Sequence, residues 1–588
     1  MTTMPASKNS GTPRLTAPFL TALLLATLPL LSASAQVIRD PGNVAAAPGA
    51  SVGSASDAGH RAQIDFEHFR RTKLPSASVG RPSNCDETVG RFCYWYNEKT
   101  VMPAEPPVIA AARDRLIATL DSLDKLSPGD RWITGQRVRY LDEAGRHPAA
   151  LDAARSCGVG GWWCDILVGF AQHELGSYAE AERTFEQGIG KMLSRDQCAW
   201  HDISLLIDDD ARQQYRRYQC GDPQKKAFED RVWFLGRTLY SMPGNDTRTE
   251  WYSRMTMAQL LQDAPSQYQF GFDDDERELM LRFGWERSWA MSRDGITGEE
   301  QMPAYRMIPA GFVINEPSLS DSANWRLQLP PVIARYGPVY AKVLKPLEHQ
   351  KAVFHRGDSA LVVLAYDSRT MPELAGVAIS ASLVVTPGTV PVGYGKTISN
   401  APPVGMIIAM APWGPLLMSA EVAAPEHHAV ARARYGVRPP FAIGTRVTIS
   451  DLLFYKPYGT FPATVEQAAP HAVPTERLRA DEKLGVYWES YGTDPSGEKM
   501  NISLTVVKEV EEGGFLRRKA EALKLVRQAT PVSVAVEDMS ARGASVSPRA
   551  IELDISTLKK GSYIVQLEIT VAGQYTVRAE HRIEIIGP

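Results

Sequence analysis

Few stretches of this 588-residue chain hold residue types that could do chemistry, and none keeps the spacing that chemistry needs. Gly357-Asp358-Ser359 sets a serine in a turn, but a nucleophile elbow reads G-x-S-x-G and Leu361 stands in its last place. Glu426-His427-His428 misses the H-E-x-x-H interval that puts two imidazoles on one helical face. Asp273-Asp274-Asp275-Glu276 and Asp208-Asp209-Asp210 lack the alternating oxygen ligands and the glycine of a calcium loop. Acidic residues ahead of an apolar segment fit a helix start instead. Neither a P-loop nor a dinucleotide-type glycine loop occurs. The chain therefore reads as non-enzymatic, with no cofactor and no metal. A hydrolase would need distant Ser, His and Asp residues brought together by the fold.

Six cysteines lie in the first half of the chain, an even number with no C-x-x-C pair and no histidines clustered beside them. Disulfides are favoured over a metal site by that pattern and by an exported context. Pairing of sequence neighbours is expected: Cys85–Cys93, Cys157–Cys164 and Cys198–Cys220. Export is read from residues 1–35, where Lys8 and Arg14 precede the apolar run Ala17–Leu31 and an Ala33-Ser34-Ala35 cleavage site. Gln36 follows where a lipoprotein would carry cysteine. No later apolar run reaches the roughly 18 residues of a spanning helix. The periplasm, the cell envelope and the extracellular space are the compartments this implies. A formal net charge of −3 gives no field that would gather nucleic acid, so a protein partner chosen by local surface shape is expected.

The elements that would position such surfaces fall into two halves. Residues 36–60 are rich in Ala, Gly, Ser and Pro and read as a spacer. From 61 to 222 the period is helical. Val108, Ala112, Leu116, Leu120 and Leu123 form one face after Pro106-Pro107, and Ser127-Pro128-Gly129-Asp130 stops that helix. Two helical hairpins follow, turning at Gly145 and Gly176, 31 residues apart. Residues 223–292 continue as helices, and 293–353 reads as a connecting region. Beyond it, runs such as LVVLAYD, LLMSAEV and GSYIVQLEITV alternate between Gly and Pro turns, giving β-sandwiches over 354–435 and 436–588. The fold class is α+β: a helical array, then all-β sandwich domains.

Gly169, Gly176, Tyr178, Ala181 and Phe185 resemble the small and aromatic positions of a tetratricopeptide repeat, whose period is about 34 residues. Trp233-Phe234, Asn245, Thr249-Glu250-Trp251-Tyr252, Gly271-Phe272-Asp273-Asp274-Asp275 and Leu281-Arg282-Phe283-Gly284 resemble, in that order, the GWxTD domain of exported bacterial proteins. The naming motif there is Gly-Trp-x-Thr-Asp. These resemblances imply an exported scaffold that holds a protein partner in a helical groove, with Trp162, Gln172 and His173 as groove residues. The alternative is a carbohydrate- or cell-surface-binding protein acting through the C-terminal sandwich. There a strand sets Tyr487, Glu489 and Tyr491 outward on one face and turns Trp488 into the core.

Overall fold

The hairpin turns set the frame of the helical half. α1 spans Val52–Lys73, α2 Pro107–Leu126, α3 Arg131–Glu143, α4 His147–Arg155, α5 Gly161–Glu174 and α6 Tyr178–Gly190. Both hairpins turn through the same backbone device. Gly145 N–H donates to Asp142 O at 2.8 Å and Arg146 N–H to Leu141 O at 2.9 Å. One unit later Gly176 donates to His173 O at 2.8 Å and Ser177 to Gln172 O at 2.9 Å. Each glycine has a left-handed φ, +71° and +77°, which closes the helix end without a Cβ clash. Within the second hairpin a Cβ on Gly169 would stand 2.9 Å from the Phe185 ring, so the missing side chain lets the two helices clasp. Phe185, Ala181, Ile166 and Phe170 are fully buried there; each large side chain so removed from water contributes about 1.5–3 kcal/mol.

This computed structural model describes residues 52–76, 87–94, 103–207, 209–266, 272–293, 300–301, 337–387, 393–437, 447–493, 497, 499–509, 532–539 and 546–587. The expected leader at 1–35, Cys85, Gly271 and most of the expected connecting region lie outside them. α1 begins at Val52, inside the stretch whose composition reads as spacer. Cys157–Cys164 and Cys198–Cys220 are bridged, with Cα atoms 5.7 and 5.8 Å apart. Cys93 is also disulfide-bonded.

α7 (Ser194–His201) and α8 (Asp209–Tyr215) follow, then α9 (Pro223–Gly236), α10 (Asp246–Gln262) and α11 (Asp274–Phe283). α9, α10 and α11 share one core with the hairpins: Trp233, Trp251, Tyr252 and Met255, with Trp285 beyond, pack with Phe170 and Phe185. Asn245 caps α10 by accepting from Arg248 N–H at 3.1 Å, and Asp273 caps α11 by accepting from Glu276 N–H at 3.1 Å. The acidic run at 273–276 is thus a helix start. Arg91, between the short strands β1 (Glu87–Val89) and β2 (Phe92–Tyr94), pairs with Asp273 at 2.6 Å. Ser292–Arg293 (β3) and Glu300–Gln301 (β4) form a second short ladder.

Strands resume at Val343, earlier than the expected boundary. β5 (Val343–Pro346), β12 (Ala429–Val437), β11 (Leu416–Ala424), β8 (Ile379–Pro387) and β9 (Tyr394–Ala401) make one sheet in that order. β10 (Val404–Pro412), β7 (Ser359–Asp367) and β6 (Glu348–Arg356) make another. Val362, Leu364, Leu383, Val385 and Met418 fill the shared core. The last unit joins β13 (Thr448–Ile449), β14 (Leu453–Tyr455), β16 (Lys483–Tyr491) and β19 (Val546–Asp554). They pack against a sheet of β15 (Arg477–Leu478), β21 (Val577–Ile585), β20 (Gly561–Val571), β17 (Lys499–Lys508) and β18 (Val532–Met539). Trp488 lies in that core, as its register requires.

A polar joint fastens the helices to the strands. Glu421 on β11 accepts from the backbone N–H groups of Tyr240 and Ser241 at 2.8 and 2.9 Å. Arg432 and Arg434 on β12 donate to the carbonyls of Thr238 and Arg237, each at 2.7 Å. All three side chains are buried. These bonds offset part of the cost of burying the charges, although Arg432 Nε is left without a partner.

Candidate functional site

α10 decides where a site can be. Of its 17 residues, 13 are buried, and it packs on α3, α5 and α6. Gln136 of α3 donates to Leu260 O at 2.6 Å, and the Tyr252 ring meets Phe185 at 5.4 Å. A Cβ on Gly135 would lie 2.7 Å from Leu260, so α3 is notched to admit α10. His173, an expected groove residue, is therefore sealed: Nδ1 meets Thr249 Oγ1 at 2.9 Å and Nε2 meets Glu250 Oε2 at 3.0 Å. Glu250 also accepts from Arg254 at 2.7 Å. Burial alone would raise the Glu250 carboxyl, but Arg254 and His173 outweigh it and hold it at about 2. Trp162 is half-buried under the Arg131 guanidinium, 4.5 Å from its ring, and Gln172 is half-buried with its Oε1 enclosed. Of the three, His173 is buried under α10, while Trp162 and Gln172 stay partly exposed.

The row on β16 is also enclosed. Tyr487, Glu489 and Tyr491 do share one face, as the strand period requires, but none is exposed. The Arg356 guanidinium grips Glu489 at 2.6 and 2.8 Å, and the hydroxyls of Tyr487 and Tyr491 donate to the same carboxylate at 2.9 and 2.7 Å. That face packs against β6, where Phe354 meets Tyr487 at 5.8 Å. The outward binding row is corrected to a contact between the two β units.

A cavity of about 280 Å³ lies between the C-terminal half of α10 and the first hairpin turn. Its floor is the end of α3 and the turn after it: Arg139, Asp142, Glu143, Gly145 and His147. Its walls are Met257 and Leu261 of α10, Leu279 and Met280 of α11, and Trp285, Arg287 and Trp289 beyond. Asp142 Oδ1 lies 2.8 Å from His147 Nδ1, a contact set by the glycine turn between them. Glu174, the last residue of α5, stands beside them and pairs with Arg287 at 2.9 Å. Asp142, His147 and Glu174 each offer a ligand-type atom within 4.8 Å of the others, the one such group among the described residues.

Electrostatics separates this cluster from the sealed ones. Burial, and then the charge of Glu174, push the Asp142 carboxyl up to about 6. The hydrogen bond to Asp142 raises the His147 imidazole. Neighbouring Glu143 goes the other way: burial would raise it, but Arg70 and Arg113, at 2.5 and 2.9 Å, hold it below the usual range. An ionised Asp142 weakens the fold, since its charged form is disfavoured there. Such groups gather where they are used, although structural networks also shift them. The cavity lining combines carboxylates, an imidazole and guanidinium groups with apolar walls, chemistry suited to polar groups on apolar stems.

No single motif in the sequence marks this site. The signal is a doubled one: Glu143-Ala144-Gly145 and Glu174-Leu175-Gly176 end the first helix of each hairpin alike. Gly135 and Gly169, 34 residues apart, mark the same repetition.

No family model matches the chain, and no curated protein does. Solved structures that match include a Bacteroides uniformis beta-glucuronidase 2 covalently bound to cyclophellitol-6-carboxylate aziridine, with 8% identity over 39% of this chain and a TM-score of 0.16. A Bacteroides uniformis beta-glucuronidase matches with 7% identity over 40% of this chain, again at 0.16. The chain spans about a quarter of their length, 26% in both. Likeness at that TM-score carries no argument about fold or activity.

Proposed function

We propose that the chain is a non-enzymatic, exported interaction protein of tetratricopeptide and GWxTD-like build that anchors a protein partner in the cavity above Asp142. The observation that carries this is α10 lying on the array: it closes the face that would otherwise serve as a groove and leaves the cavity open beside it. Apolar walls with a few convergent polar groups are the usual form of a binding pocket. Two disulfides among the described residues support an oxidising compartment, and no described helix is long and apolar enough to cross a membrane. The test is capture from envelope extract by the full chain, by Leu261→Arg, which fills the cavity, and by Trp162→Ala. A partner lost with Leu261→Arg and kept with Trp162→Ala supports the cavity; the reverse supports the groove.

A second reading, surface or carbohydrate binding by the C-terminal unit, rests on another place than the β16 row. Phe461 is 62% exposed, and nearby Tyr458 stacks on His471 at 3.9 Å. Retention of the full chain on cell-wall polysaccharide, lost with Phe461→Ala and Tyr458→Ala, would favour it.

A further inference from the structure

We propose that Asp142, His147 and Glu174 bind one divalent cation of the zinc or manganese class beside the cavity that Asp142 and His147 line. This goes beyond the partner-binding reading and does not depend on it. Two helices bring the ligands in. Asp142 lies in the last turn of α3 and Glu174 closes α5, so two negative helix ends and two carboxylates converge on one point. His147 opens α4 across the turn and adds an imidazole. One nitrogen and two carboxylate oxygens form a set that zinc and manganese accept, whereas calcium prefers six to eight oxygens. Around an ion with bonds of about 2.0–2.2 Å, tetrahedral ligands lie about 3.4 Å apart. Asp142 and His147 are already 2.8 Å apart, and Glu174 completes the group within 4.8 Å, so rotation of side chains suffices. Asp142 and His147 line the cavity, which would be the entry path, and Glu174 joins them from the end of α5.

Arg287 is the competitor. Its guanidinium holds Glu174 at 2.9 Å, while His147 holds Asp142, and the quartet is balanced when the imidazole is protonated. A cation would take the place of the imidazole proton and share Glu174 with Arg287. The bland alternative is a permanent pair of ion pairs, and the two differ in what Arg287 does. As a structural counter-ion its loss leaves the site no better at holding metal; as a competitor its loss strengthens binding.

The experiment uses the untagged full chain, stripped with a chelator and titrated with Zn²⁺ against a chromophoric chelator, then with Co²⁺ for its visible absorption. One equivalent is expected. His147→Gln, Asp142→Asn and Glu174→Gln should each weaken binding at least tenfold and remove the Co²⁺ absorption. Arg287→Gln should tighten binding, and Glu276→Gln, a lining residue outside the set, should leave it unchanged. Far-UV circular dichroism checks that each variant folds. Binding below half an equivalent, or binding insensitive to His147→Gln in a folded variant, overturns the proposal. Partner capture by the stripped protein keeps the two readings apart: if it persists while no cation binds, only the cation site falls.

Discussion

The two hairpin turns, 141–147 and 172–178, share a backbone and differ in fate. In each, a glycine with positive φ closes the helix and the same two carbonyls accept. Asp142 and His147 in the first correspond to His173 and Tyr178 in the second. His173 is sealed by the N-terminal half of α10, with both ring nitrogens engaged. Asp142 lies by the C-terminal half, where Met257 and Leu261 wall a cavity. The difference teaches that a repeat supplies positions, and that the element laid over it decides which become structure and which stay available.

The largest break in the comparison is at the sealed turn. Glu250→Gln strips His173 and Arg254 of their shared carboxylate and should lower stability by about 3–5 kcal/mol, the range for breaking a buried pair, read as a drop in the urea midpoint at pH 7. The Glu250 carboxyl is depressed to about 2, so its contribution is complete above pH 4.5 and is lost as pH falls towards 2. Wild type and variant should converge over that interval. A constant gap would show that the carboxylate is not what the network rests on.

Gly145→Ala and Gly176→Ala should each cost about 1–2 kcal/mol, since a left-handed backbone penalises a Cβ by that much. Near-equal losses would sharpen the claim that the turns are one device. A large inequality would break it. Asp142→Asn should have the opposite sign, a gain of about 1 kcal/mol once the lost hydrogen bond to His147 is set against relief of a disfavoured charge. A raised carboxyl weakens the fold above its folded value and not below its unfolded one. The gain should therefore be present above pH 6 and fade as pH falls towards 3.8. The smallest effect is one of access: diethylpyrocarbonate should modify His147, whose side chain is 32% exposed, well before His173 at 6%.

The helices, both turn glycines, the strand runs and two disulfides were legible as local patterns, because period, turn chemistry and cysteine spacing are local quantities. Trp488 and its Tyr–Glu–Tyr neighbours were placed on the correct opposite faces of β16. Whether the second face met water or another sheet was not legible, since alternation looks the same in both cases until Arg356 arrives from far along the chain. The same holds for α10. Its Met and aromatic residues announced a buried helix, but not that it would lie on α5 and cover His173. The cavity is a remainder between α3, α10 and α11, and no short stretch of residues encodes a remainder.

The joint at Glu421 has a consequence for how the chain comes apart. Tyr240 and Ser241 find their acceptor on β11, and the carbonyls of Arg237 and Thr238 meet guanidinium groups from β12. Severing the polypeptide after 293 would strand those amides and carbonyls against an apolar scar of Leu235, Tyr240 and Leu417. Neither half would then be whole, and heating the intact molecule should melt helices and strands in a single step.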